Sequence, residues 1–265
     1  MCRFLAWVGA KRYLDELVLN QEQSLVIQSR NALIGKTPIN ADGFGLAWYS
    51  DRKTPCFYKD TNPAWSDANL KQLTHHTQSH LFLAHVRAST GTATSRNNCH
   101  PFGVGKWSFM HNGQAGGHDR IRQELDGMIP ADLYGHRLGA TESEAIFLIA
   151  HGEGLDAEPI AAMERAVERV EALARRRGTL PYLRFAACWS DGDRLFAARY
   201  ASDRFAPSLH YKTCDDGIII SSEPLDANSG EWTEIPANTA IETRGNSLNT
   251  HAFEPNVQYR RADVA

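Results

Sequence analysis

The 265-residue chain has no apolar run approaching the length of about 20 residues that a membrane-spanning helix requires. Its N-terminus also lacks the basic lead and apolar block of a secretory signal, so a soluble, cytoplasmic protein is expected, with no membrane partner. The five cysteines (Cys2, Cys56, Cys99, Cys188, Cys214) are odd in number and scattered without CxxC spacing, which argues against a disulfide frame and against a cysteine zinc site. Positive charge is not in excess either. A formal net charge of -3 argues against the phosphate-neutralising surface of a general nucleic-acid binder. There is no HExxH pattern. His75, His76, His80 and His85 are close in sequence, but adjacent helical histidines point apart and His85 falls in a strand of different period, so no metal is expected.

With 42% hydrophobic and 22% charged residues and no repeat or low-complexity linker, the chain reads as a globular protein able to bury a substantial core. Strand-like stretches dominate both halves: RFLAWVGA from Arg3, GFGLAWYS from Gly43, HLFLAHVRAS from His80 and WSFMHNG from Trp107, then RFAACWS, RLFAARYA, SLHYKT and GIIISSEP from Arg184, Arg194, Ser208 and Gly217. Asp191-Gly192-Asp193 is placed as a hairpin turn. Helices are expected over 13–29, 66–77, 143–151 and 156–177. The last would be capped by Asp156, with Pro159 in its first turn, Ile160, Met163, Val167 and Val170 on one face and Gly178 at its end. The arginines at 175–177 read as a solvated last turn favoured by the helix dipole. Two sheets covered by helices, in one α+β domain over residues 1–265, account for this pattern.

The chain opens MCRFLAWVG. If Met1 is trimmed, one residue carries both a free α-amine and a thiol, with reference pKa values of about 7.7 to 8.0 and about 8.5, so a neutral amine can take the thiol proton and leave the attacking thiolate. Taken alone, Met-Cys is better explained by a small buried hydrophobe. An acyl-transfer thiol also needs preset donors for the oxyanion, and WSFMHNGQAGG offers the Asn112 amide beside Gly113, where backbone can approach a ligand closely. A type I′ hairpin turn at Asn-Gly explains the same pair equally well. Arg87, ending an apolar strand, suits a substrate carboxylate held by two parallel hydrogen bonds, or simply a strand's exit into water. Glu142, in GATESEAIF, would meet a substrate ammonium or merely favour a helix start.

Their order carries more than any one of them. MCRFLAW, NADGFGLAWY from Asn40, AHVRAST from Ala84, NNCHPFGVGKWSFMHNG from Asn97 and GATESEAIF from Gly139 resemble class II glutamine amidotransferases, of the N-terminal nucleophile hydrolase superfamily. The tail, with FAACWSDGDRLFAARY and IIISSEPLD, is similar to the stand-alone branch that includes γ-glutamyl hydrolases of ergothioneine synthesis. The resemblance implies a four-layer αββα sandwich of two antiparallel sheets flanked by helices. It implies an amidohydrolase that uses no cofactor or metal, with Cys2 attacking the γ-amide of glutamine or of a small γ-glutamyl compound to give a thioester. Asn112 and Gly113 match the oxyanion-hole positions of the family's HNG motif, whose His111 is placed with the substrate-binding residues. Arg87 matches the arginine that holds the α-carboxylate, and the HPF segment His100, Pro101 and Phe102 shapes the pocket. Glu142 stands where the family usually has aspartate binding the α-ammonium, and Ala88 where a tryptophan commonly follows the arginine; both departures imply a reshaped pocket. Two alternatives follow from the same residues: a glutaminase subunit passing ammonia to a separate synthase partner, and a non-catalytic γ-glutamyl-binding or regulatory module.

Overall fold

The structure, a computed structural model, describes residues 2–34, 37–89 and 91–255. The strands are β1 (Arg3–Tyr13), β2 (Phe44–Trp48), β3 (Cys56–Asp60), β4 (Gln78–Val86), β5 (Phe102–Val104), β6 (Trp107–Gln114), β7 (Arg184–Ser190), β8 (Leu195–Ala201), β9 (His210–Cys214), β10 (Gly217–Ser221), β11 (Thr233–Glu234), β12 (Thr239–Arg244) and β13 (Ser247–Ala252). The helices are α1 (Asp15–Val18), α2 (Leu25–Arg30), α3 (Ala68–His76), α4 (His118–Asp126), α5 (Glu142–Gly152) and α6 (Pro159–Arg177).

The strands form a seven-stranded sheet, ordered β11-β9-β10-β1-β4-β2-β3, and a six-stranded sheet, ordered β13-β12-β8-β7-β6-β5. Neighbouring strands pair antiparallel throughout. Side chains alternate across a pleated strand, so a strand buried on both faces must be apolar at odd and even positions alike. Strand β1 meets that demand: Phe4, Ala6 and Val8 enter the layer between the sheets with Leu81 and Leu83 of β4, while Leu5 and Trp7 join the core under α1, α2 and α3. Strand β7 does the same, with Ala186 and Cys188 between the sheets and Phe185, Ala187 and Trp189 packed with residues of α4, α5 and α6. Helices, two sheets and helices again give the αββα sandwich.

Most expected elements recur with shifted ends, but one differs in kind and one has a different start. The helix expected over 13–29 is broken: β1 runs on to Tyr13, α1 stops at Val18, and Ser24 starts α2 afresh by accepting the Ile27 N–H at 3.3 Å. Asp156 is not the cap of the last helix. Its carboxylate accepts from Trp107 Nε1 at 2.8 Å, and the helix begins at Pro159 instead. The arginines end the helix as expected, with Arg176 and Arg177 exposed, and they also pair with carboxylates: Arg175 with Glu171, Arg176 and Arg177 with Glu124. Glu124 belongs to α4, an element the hydrophobic pattern did not announce because only Ile121 and Leu125 of its residues are buried.

Candidate functional site

Cys2 immediately precedes β1, and the register that pairs Arg3 with Val86 brings it alongside the end of β4. There the Ala88 N–H donates to Cys2 Sγ at 3.4 Å, and the thiol reaches the Ala88 carbonyl at 3.6 Å. Burial pushes the thiol's pKa up, while the Ala88 N–H and the Arg87 guanidinium pull it down. Behind it, Arg3 is wholly buried; Nη1 donates to the Cys2 carbonyl at 2.8 Å and Nε to the Glu223 carboxylate, which also accepts the N–H groups of Leu33 and Ile34 at 2.8 and 3.0 Å. The first residue of the strand is thereby clamped.

A cavity of about 50 Å³ opens in front of the sulfur, lined by Cys2, Arg87, Ala88, Ser89, Thr92, His100, His111, Gly113, Gln114, Thr141, Glu142 and Ser143. Arg87 is 3% exposed and held by neutral oxygens alone: the Asp42 carbonyl at 3.3 Å, Ser89 Oγ at 3.1 Å, and the Thr92 carbonyl and Oγ1 at 3.3 and 2.7 Å. Among the described residues no carboxylate forms an ion pair with it, and the Glu142 carboxylate in the same cavity acts on it only from a distance. Glu142 stands in the first turn of α5, whose cap is Thr141, accepting the Glu144 N–H at 3.3 Å. Burial raises the Glu142 pKa, against the opposing pull of its own and the Ala115 backbone N–H groups.

Asn112 and Gly113 lie inside β6, paired with Ala186 and Phe185, so the hairpin reading of Asn-Gly does not apply. By strand alternation Asn112 shares the inter-sheet face with Met110, the face to which Cys2 also belongs by its parity with Phe4. It does not line the cavity as Gly113 does, and neither atom of its buried amide has a partner among the described residues. His111 lies on the helix side. A carbonyl only accepts, so the Arg184 oxygen at 3.3 Å fixes the proton on Nε2 and leaves Nδ1 to accept from Ser143 Oγ at 2.8 Å. Both ring nitrogens are thus occupied by protein. A Cβ on Gly113 would sit 2.2 Å from that ring and 2.0 Å from the Arg184 carbonyl, which leaves no room for a larger residue.

His85 and His100 stack at 4.2 Å beside the cavity. The other histidines of the sequence cluster go elsewhere: His75 to Asp15 at 2.8 Å and His80 to the Gly192 carbonyl at 3.0 Å. Burial holds His111 down to about 4, His85 to about 3 and His100 well below its usual value. Below the unfolded value near 6.5, the unfolded chain therefore binds more protons than the native one, and stability falls as pH falls. His111 alone contributes a loss of the order of 3 kcal/mol by about pH 4. Chemical denaturation at pH 7 and pH 4.5 should show a marked drop in midpoint. A midpoint unchanged over that window would contradict the buried neutral imidazoles.

Several residues here were not marked by the sequence: Arg3 and Glu223, which meet only through the β1-β10 pairing, and Ser89, Thr92, Gln114 and Ser143, polar residues with no pattern of their own.

A family profile described as class II glutamine amidotransferases matches residues 16–212, a segment holding Arg87, Asn112, Gly113 and Glu142 but not Cys2. The chain is 30% identical to the probable glutamine amidotransferase DUG3 of Saccharomyces cerevisiae, covering 95% of this chain and 84% of that one. It is 29% identical to the gamma-glutamyl-hercynylcysteine sulfoxide hydrolase of Mycolicibacterium smegmatis, covering 92% and 96%. Among solved structures, a glutamine aminotransferase class-II domain protein from Silicibacter pomeroyi superposes with a TM-score of 0.79 at 37% identity, covering 96% and 99%.

Proposed function

Since the chain belongs to the class II glutamine amidotransferases, we propose that it is an amidohydrolase that cleaves a small γ-glutamyl amide with Cys2 as its N-terminal nucleophile. The observation that carries this is the convergence on one cavity of a thiol, a guanidinium held by neutral oxygens, a carboxylate and the Gly113 backbone. Those groups come from the N-terminus, the end of β4, the start of α5 and the end of β6. A γ-glutamyl head has a carboxylate, an ammonium and a carbonyl to match them.

In the proposed cycle, removal of Met1 turns the Cys2 amide nitrogen into an amine. That amine takes the thiol proton, and Sγ attacks the γ-carbonyl carbon. A C–S bond forms, and the negative charge moves to an oxygen at the Gly113 backbone, with the buried, unpartnered amide of the adjacent Asn112 as the second donor once substrate is seated. Collapse breaks the C–N bond, and the proton passes from the Cys2 ammonium to the departing amine, leaving a thioester. Water then adds with the same amine as base, the C–S bond breaks, and the proton returns to sulfur. Arg87 holds the α-carboxylate and Glu142 the α-ammonium. His111, its ring nitrogens engaged, acts by fixing Ser143 in the first turn of α5.

The small Ala88 beside the sulfur and the longer reach of Glu142 favour a γ-glutamyl compound with a sizeable leaving amine over free glutamine. Assaying the Met1-free protein against glutamine and a panel of γ-glutamyl amides tests this. Turnover highest on the substituted amides is expected. Glutamine turnover that appears only with a co-purifying protein would favour the glutaminase-subunit reading, and no turnover of any would favour a binding module.

Glu142→Gln should lower kcat/KM about 100-fold, mostly through KM, because the substrate ammonium loses its counter-charge in a desolvated site. Burial raises the Glu142 pKa, so the carboxylate ionises only as pH rises through an elevated value, and kcat/KM should rise with it. That acid limb should vanish in Glu142→Gln. Its persistence in the variant would remove Glu142 from the ammonium site.

A further inference from the structure

A second cavity, of about 250 Å³, opens between the edge strands β3 and β5 and helix α5. Its lining shares no residue with that of the cavity in front of Cys2, and the His100-Phe102 turn and the start of α5 stand between them. Phe57, Phe102, Phe147, Leu138 and Leu148 supply the apolar part of the wall, and Lys59, Arg96, Asn97, His136 and Glu144 its polar part. Gly103 permits this: a Cβ there would lie 2.2 Å from the Phe57 ring.

Into this space β3 sends Lys59, its Nζ 4.9 Å from the Phe102 ring centre and 5.7 Å from that of Phe57. The other charges at the rim are already matched. Arg96 pairs with Asp60 at 2.6 Å, and Glu144 with Arg137 at 2.9 Å while also accepting the Gly139 N–H at 2.8 Å. Among the described residues no carboxylate lies within ion-pair distance of Lys59; burial lowers its pKa to about 8, against a weaker opposing pull from the more distant Glu144 carboxylate, which is itself engaged by Arg137. Ring faces soften the desolvation of an ammonium but do not neutralise it. One positive charge without an ion-pair partner among the described residues, set against the Phe57 and Phe102 rings, suits one negative charge on an apolar body. A neutral ligand would leave the ammonium unmatched, and a dianion would exchange a surplus cation for a surplus anion.

We propose that this cavity is a binding site for a small monocarboxylic acid with an aryl or branched aliphatic body, its carboxylate on Lys59 Nζ and its body between Phe57, Phe102 and Phe147. Phenylacetate is the probe. Calorimetric titration of the wild-type protein should show saturable binding, weakened at least about tenfold with phenylacetamide, which has the same shape without the charge. Lys59→Met, which keeps the stem, should lose phenylacetate binding by a similar factor. Arg87→Met should bind it as the wild type does, which separates this site from the one in front of Cys2. In wild-type protein with 13C-dimethylated lysines, the Lys59 resonance should titrate at a higher pH when phenylacetate is present, a readout that does not depend on any variant folding. Equal affinity for acid and amide, undiminished binding by Lys59→Met, loss of binding in Arg87→Met, or no heat and no change in the Lys59 titration would overturn the proposal.

Discussion

Cys2→Ala should abolish γ-glutamyl amide hydrolysis, lowering kcat by about 10⁴-fold or more, the scale on which nucleophile deletions fall when the residue acts in concert with its base. None of the other four cysteines lines the cavity in front of Cys2. Cys99 and Cys188 are buried, and burial raises the pKa of each. The substitution should be nearly silent in stability, because Cys2 is only partly buried and its sulfur makes long contacts, at 3.4 and 3.6 Å, with one neighbour. A melting temperature within a few degrees of wild type together with lost turnover is the expected pair of results. Retained turnover would remove Cys2 from the mechanism.

Asn112→Leu should separate stability from activity in the opposite sense. A buried amide with neither atom paired is costly to the fold, of the order of 1 to 3 kcal/mol, and a near-isosteric apolar side chain relieves that cost. If the amide is kept to meet a developing oxyanion, its loss should lower kcat about 10²- to 10³-fold with little change in KM. The variant should therefore melt at or above the wild-type temperature while turning over slowly. Unchanged kcat would assign the oxyanion to other donors and leave the unpaired amide without a role.

How much of this could be read from the chain depended on locality. Two packed sheets covered by helices were legible from the order of strand-like and helical stretches, and the four-layer αββα form from the family resemblance; β1, β4, β7 and β10, apolar on both faces, show its physical basis. Helix α6 was legible from its face and from Gly178, which ends it at φ 64°. The helix expected over 13–29 failed because propensity alone does not register a mid-segment cap such as Ser24, and Asp156 failed because a distant indole, Trp107, competed for its carboxylate. For the site, Arg87 and Glu142 sit at element ends, which the sequence marks. Glu223 is bonded to Arg3 across 220 positions, and Lys59 faces a wall made by β5 and α5; nothing in the sequence near either residue reports such partners.

The central claim concerns a sulfur and an α-amine on one residue, and mass spectrometry addresses it directly. Active protein is incubated with a diazoketone analogue of glutamine, digested, and its N-terminal peptide sequenced by fragmentation. The account predicts a peptide that begins at Cys2, without Met1, and carries one equivalent of the analogue on that residue as activity disappears. An N-terminal peptide that retains Met1 in fully active protein, or inactivation with the label on any other residue, would contradict it.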